Sequence, residues 1–239
     1  MSEYAVQILT GHNLDFLKSQ PTTESTWSAI TSGPYLEMLH ESLAPRLSPD
    51  SQTHLFTYPL STGSLPFIHL DDFARYVEKI LSDQTAYAGK ELKVGTAHVS
   101  GEDIARAFTS VTGKPARYVN VPIEAWLSAA FGHHVHGADT PIGLQAYPGL
   151  RGDAQGIFLP LTWAQNFAGS WNVWAHSGGD AGIIKRDYGM LDDLLPDRVK
   201  GVEEWMGKVG YTAEKRQVLR TRTDDHAEVS PWDNVPGRG

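Results

Sequence analysis

The stretch STWSAITSGPYLEML, from Ser25 to Leu39, decides how this chain is read. Thr26 to Thr31 reads as a buried strand and Ser32-Gly33-Pro34 as a turn of small residues. Tyr35 to Leu43 reads as a helix that Pro34 sets up through its fixed φ. A strand that ends in such a turn before a helix is where α/β proteins gather ligands, outside the carboxyl ends of their strands. Only 24 residues precede Ser25, which is short for the phosphate-binding unit that usually opens such a fold.

Working outward, His54 to Leu60 and Leu65 to Leu70 are extended segments around the turn cluster Ser61-Thr62-Gly63-Ser64. HLDDFARYVEKIL then starts a helix, with Asp71 as its expected N-cap and Phe73, Tyr76, Val77, Ile80 and Leu81 along one face. Asp72, Glu78 and Lys79 fall on its solvated face, and His69 on the strand before it. Glu91 to Val99 reads as a strand. Ser100 with Asp103 three residues on imitates a capping box, Ile104, Phe108 and Val111 follow at helical spacing, and Gly113 closes the helix.

Ala116 to Val121 is a further extended piece and Ile123 to Phe131 a further helix. Upstream, Val6, Leu9, Leu14 and Leu17 give Tyr4 to Lys18 the spacing of a first helix, or of two shorter ones interrupted at Gly11. Strand and helix alternate, which is the pattern of an α/β fold with a mostly parallel sheet. Past Gly132 the chain becomes loop-like and dense in Gly, Trp and His as far as Gly182, and long loops in compact proteins tend to carry function. Val202, Trp205, Met206 and Val209 form the stripe of a last helix, and the tail from Thr221 is polar.

Composition narrows the classes. The chain has 239 residues, 41% hydrophobic and 20% charged, enough for a substantial core and unlike a disordered chain. A formal net charge of −8 argues against a nucleic-acid partner. The absence of Cys removes disulfides, thiolate zinc ligands and thiol catalysis. With no apolar run near membrane length and no basic leader at MSEYAVQILTG, the expectation is a cytoplasmic protein with no membrane association.

Four segments together resemble the NmrA-like atypical short-chain dehydrogenase/reductases. WSAITSGPYLEML resembles the central strand and following helix of that family, and PFIHLDDFARYVEKIL its later strand–aspartate–helix unit. KELKVGTAHVSGEDIARAFTSVTGKPARYVNVP resembles the strand, helix and strand of its second half, and GMLDDLLPDRVKGVEEWMGKVGY its closing helix. The likeness runs over roughly residues 12 to 212. It implies a truncated Rossmann-like sheet with helices over residues 1–122, a smaller Trp/His/Gly-rich substrate-side region over 123–220, and a flexible tail over 221–239.

The departure from the family carries as much information. Its Gly-rich loop holds the cofactor diphosphate at a helix N-terminus. The pairs Gly149–Gly152, Gly179–Gly182 and Gly207–Gly210 do not extend to such a motif. Gly11 or His12 stands where the family places its active-site Lys, and Lys18 sits nearer the strand. No cofactor-binding residue is therefore carried over and no cofactor is expected. The chain is either a shortened relative with a new task or part of a longer reductase. A half sheet leaves an open edge, and a homodimer that covers it is the expected remedy.

The candidate catalytic residues are Tyr35, at the mouth of the opening turn; His12, on the helix facing that strand; His133, His134 and His136 in GHHVHG; and His176. The histidines read either as an acid–base or metal cluster or as a polar loop. No acidic ligand follows at a diagnostic spacing, so no metal is expected. Trp163, Phe167, Trp171 and Trp174 recur at helical spacing, as core or dimer interface on one reading. On the other they wall a flat apolar ligand, with Asp180 or His176 at the end to move a proton. Asp180, Lys185, Arg186 and Asp187 form a mixed charge cluster, read as a surface feature or, alternatively, as part of a site.

The leading expectation is an enzyme derived from NmrA-like reductases that has lost dinucleotide dependence. It would act as a cofactor-independent isomerase, cyclase or lyase on a small hydrophobic molecule of the secondary-metabolite kind. The alternatives are a non-catalytic regulator or partner-binding protein, and an NADP-dependent oxidoreductase in shortened form.

Overall fold

In a computed structural model, residues 19, 27–131, 139, 162–178 and 182–218 are described. Seven strands are present among them: β1 Ser28–Thr31, β2 Arg46–Leu47, β3 His54–Tyr58, β4 Leu65–Phe67, β5 Lys90–Lys93, β6 Ala97–Val99 and β7 Ala116–Asn120. The α-helices are α1 Leu70–Ser82, α2 Gln84–Tyr87, α3 Gly101–Thr112, α4 Ile123–Phe131, α5 Trp163–Ala175, α6 Tyr188–Leu194 and α7 Val202–Val209. The predicted first helix, residues 4–18, lies outside the described residues.

The class is mixed α/β. β1 runs parallel to β5, with Ser28 opposite Lys90 and Thr31 opposite Lys93. β3 runs parallel to β7 over five residue pairs, from His54–Ala116 to Tyr58–Asn120. Antiparallel pairings of β2 with β3 and of β4 with β6 complete the ladders. The single strand expected over Glu91 to Val99 is two strands. β5 continues the β1 ladder through Val94, whose amide donates to Thr31, whereas Thr96 donates to Phe67 on β4. The backbone thus passes from one ladder to the other at Gly95.

The helix expected from Tyr35 to Leu43 is a 3-10 helix over Leu36–His40. Tyr35 is extended, with φ −86° and ψ 140°, and forms a parallel bridge to Ile68, while the Leu36 amide donates to Ile68. These sheet-like bonds hold the backbone where an α-helix would have begun. β1 itself is not a buried strand: Ser28 is exposed and its next three residues are half-buried.

Helix α3 follows its local code. The Ser100 and Asp103 side chains exchange bonds with each other's amides, and Gly113 takes the left-handed φ of 70° that relieves a helix end. Helix α1 departs from its own code. His69, not Asp71, occupies the N-cap position and gives no side-chain cap. The Leu70 amide is met instead by the Glu37 carboxylate, at 3.2 and 3.3 Å. Leu81, expected on the apolar face, is 64% exposed. Asp72, expected in solvent, is buried, where it accepts from the Val199 amide at 2.8 Å.

Two apolar clusters hold the fold. The larger contains Phe56, Phe67, Phe108, Trp171, Trp205 and Tyr211. The smaller gathers Ile68, Tyr76, Leu92, Val94, Leu191 and Leu195 where β5, α1 and α6 meet. Full burial of side chains of this size stabilises each by about 1.5–3 kcal/mol.

Candidate functional site

The carboxyl ends of β4 and β5 and the start of α6 converge on Val94, Gly95 and Thr96, and the side chains around this crossover form the candidate site. Arg198, 4% exposed, pins it from below. Its Nη1 donates to the Thr96 carbonyl at 2.8 Å and to the Val199 carbonyl at 3.1 Å, and its Nε lies 2.9 Å from Asp192. Its guanidinium sits 5.5 Å from the centre of the Tyr188 ring, within cation–π range.

Tyr188 opens α6 and reaches back to β6, where its hydroxyl lies 2.8 Å from His98 Nδ1. Burial pushes the Tyr188 hydroxyl up to about 12, against the pull of Arg186 and Arg198. Burial and the neighbouring Arg186 hold His98 below its usual range. A protonated phenol therefore meets a neutral imidazole at neutral pH, and the imidazole tautomer sets which of the two donates. His98 Nε2 is buried without a partner at full hydrogen-bond geometry among the described residues, and the Ile184 main chain also acts on the ring. Beside His98 an open groove of about 220 Å³ is lined by Asp103, Arg106, Gly201 and Glu203. A phenol paired with a base can move protons to and from a ligand, and its reach includes a bridging water.

A second polar group lies deeper. Glu37 Oε1 accepts from His69 Nδ1 and from the Trp205 indole, binding the 3-10 helix, α1 and α7 together. Every one of these contacts is internal, so Glu37 is a brace.

The nominated residues fall in separate places. Tyr35 packs its ring 6.3 Å from Phe73, against the smaller cluster. Trp171 is 2% exposed in the larger one, stacked on Tyr58 at 5.7 Å. Trp174 meets Trp171 edge-on at 5.0 Å, while Trp163 stacks on Phe167 at 5.9 Å, so the aromatic stripe does lie along one helix, α5. His176 is exposed at the end of α5 and its Nδ1 bonds the Asn172 carbonyl at 2.8 Å. His12, His133, His134, His136 and Asp180 lie outside the described residues. Among the described residues no three acidic or His side chains gather to hold a metal.

Sequence reasoning passed over His98 and Tyr188, and placed Arg186 in a mixed charge cluster without linking it to them. One signal was present, a lone His at the carboxyl end of a predicted strand just before a capped helix. The placement of Tyr188 against it depends on chain 90 residues further on.

A dinucleotide needs a glycine whose missing side chain leaves room for diphosphate and amides left free to bind it. Gly33, in the turn after β1, offers neither. A Cβ there would lie 1.9 Å from the Pro66 carbonyl oxygen, so that space is already filled, and the Leu36 amide is committed to Ile68. The described residues of this turn do not fit the group.

The NmrA-like family profile matches residues 21–138. A nucleoside-diphosphate-sugar epimerase from Staphylococcus aureus superposes with a TM-score of 0.50 at 15% identity, over 85% of this chain and 56% of that one. NmrA, a negative transcriptional regulator solved in complex with NAD, superposes with a TM-score of 0.51 at 14% identity, over 82% and 55%. The chain spans about half the length of these structures, and at such identities the likeness concerns the fold alone. No curated protein sequence matches the chain. No helix among the described residues is long and apolar enough to cross a membrane.

Proposed function

Through residues 21–138 the chain belongs to the NmrA-like family, and from that premise we propose that it is an acid–base enzyme needing no dinucleotide. It would be an isomerase, cyclase or lyase of secondary metabolism, acting in the cytoplasm as a homodimer on a small hydrophobic molecule. The observation that carries this reading is the 2.8 Å hydrogen bond between the Tyr188 hydroxyl, at the start of α6, and neutral His98 on β6. In an isomerisation the Tyr188–His98 pair takes a proton from a carbon next to a carbonyl and returns it at another position. No oxidant or reductant is consumed. In short, the donor set matches proton transfer better than hydride transfer.

Two measurements on the purified chain test it. Calorimetry with NADPH and NADH is expected to give no binding, and micromolar affinity for either would sink the cofactor-independent reading. Enolisable ketones of polyketide type, incubated in D2O and followed by NMR, are expected to take up deuterium with the wild-type chain and not with Tyr188→Phe or His98→Gln. Uptake that survives in both variants would remove the pair from the chemistry.

The second reading is a non-catalytic partner-binding protein, and one observation favours it. Trp171, the centre of the proposed aromatic wall, is spent on the core. The deuterium experiment separates the two, since a binding protein gives no exchange.

A further inference from the structure

Arg186 is a half-buried cation without an acidic partner among the described residues. Its Nε donates to the Val94 carbonyl at 2.8 Å and its Nη1 to the Lys185 carbonyl at 2.9 Å. Both acceptors are main-chain oxygens, so the side chain is fixed in place while its charge stays uncompensated. Nη2 bonds no described residue. Glu91, the acid that influences it, is occupied elsewhere: it accepts from Thr31 Oγ1 at 2.7 Å and lies 3.8 Å from Lys93.

The contrast with Arg198 is informative. That guanidinium, in the same neighbourhood, lies 2.9 Å from Asp192. Taking a guanidinium partly out of water without a counter-charge costs stability. Burial accordingly depresses the Arg186 pKa. A charge kept at such a cost beside a proton-transfer pair points to a ligand.

Position supports the same conclusion. A Cβ added at Gly95 would come within 3.5 Å of Arg186 Cγ and 3.7 Å of Tyr188 Cε1, so both side chains lie over the same glycine. Asp192 meets Arg198 and is shared with Lys200, whereas Arg186 is the guanidinium over Gly95 with no acid against it among the described residues. A guanidinium edge matches a planar carboxylate in geometry.

We propose that Arg186 anchors a carboxylate carried by the ligand of the Tyr188–His98 site, so that the substrate class is a small apolar carboxylic acid. This rests on Tyr188 and His98 being the working pair, since the ligand is taken to reach from Arg186 to the Tyr188 hydroxyl.

The test is binding, independent of turnover. Calorimetry with 4-phenylbutanoate and with its neutral amide, at matched ionic strength, is expected to show the acid bound by wild type about tenfold more tightly than the amide, a typical margin for a charge-assisted pair. Arg186→Gln should erase that preference, and Lys185→Gln should keep it. On wild type alone, which does not depend on the variant folding, the Arg186 Nε–H resonance should shift with the acid and stay still with the amide. Equal affinities, no binding of either, or a preference that survives Arg186→Gln would overturn the inference. Carboxylate preference without deuterium exchange would leave the inference standing and overturn the catalytic reading. Exchange on neutral ketones without carboxylate preference would do the reverse.

Discussion

Glu37 Oε1 and His69 Nδ1 lie 2.5 Å apart in an interior where both side chains are largely shielded from water. Burial works against the Glu37 charge, but the bonds from His69 and from amides outweigh it and hold the carboxyl below its usual 4.5. The same bond raises His69 above its usual 6.5 against its own burial. The lowered acid contributes stability above its unfolded pKa, and this is lost as pH falls. The raised base contributes below its unfolded pKa, and this is lost as pH climbs through the folded value. Their joint contribution is therefore fullest between 4.5 and 6.5.

Glu37→Gln should cost about 2 kcal/mol in that window, the scale of a buried charge-assisted bond. The cost should shrink at higher pH as His69 gives up its proton. Melting temperatures of both proteins across pH check this, and a difference that does not vary with pH would refute the assignment. Imidazole NMR titration adds a second check. His69 should stay protonated above 6.5, while His98 should stay neutral below it.

Trp171 decides between core and ligand wall. Its side chain is enclosed by Tyr58, Trp126 and Trp174, so Trp171→Ala should destabilise by about 3–5 kcal/mol. Half-buried Trp163 should lose much less on the same change. Urea midpoints measure both. Near-equal small losses would mean that Trp171 is not part of the packed interior.

Ser100→Ala should cost about 1 kcal/mol through loss of the α3 cap, read from the urea midpoint. This site was legible in the sequence because Ser100, Asp103 and Gly113 act within one helix. The α5 and α7 stripes were legible for the same reason: their periodicity is local. The start of α1 was not. Asp71 had the right chemistry for a cap, but the carboxylate that meets Leu70 comes from Glu37, 33 residues earlier. Asp72 was read as solvated because nothing in its own helix reveals that Val199 covers it. The Tyr188–His98 pair was hidden in the same way, since its two halves are distant in the chain and neither carries a motif.

Gly33→Ala tests whether the turn after β1 is a packing device. The new methyl would meet the Pro66 main chain, whose carbonyl oxygen would be 1.9 Å away, and backbone yields less readily than a side chain. A loss of about 1–3 kcal/mol is expected, the range for overpacking. An unchanged melting temperature would show that the turn has room, and would reopen it as a ligand cradle.

The homodimer we propose follows from β1. Among the described residues its ladder partner is β5, on one side only. A strand with a free edge recruits another strand unless something blunts it, and Ser28 at its start is exposed to solvent. Light scattering at micromolar concentration should therefore return twice the 26.3 kDa chain mass. Ser28→Lys places a charge at that edge and should shift the mass toward the single chain. A wild-type protein of single-chain mass would show that the edge is closed from within the chain itself.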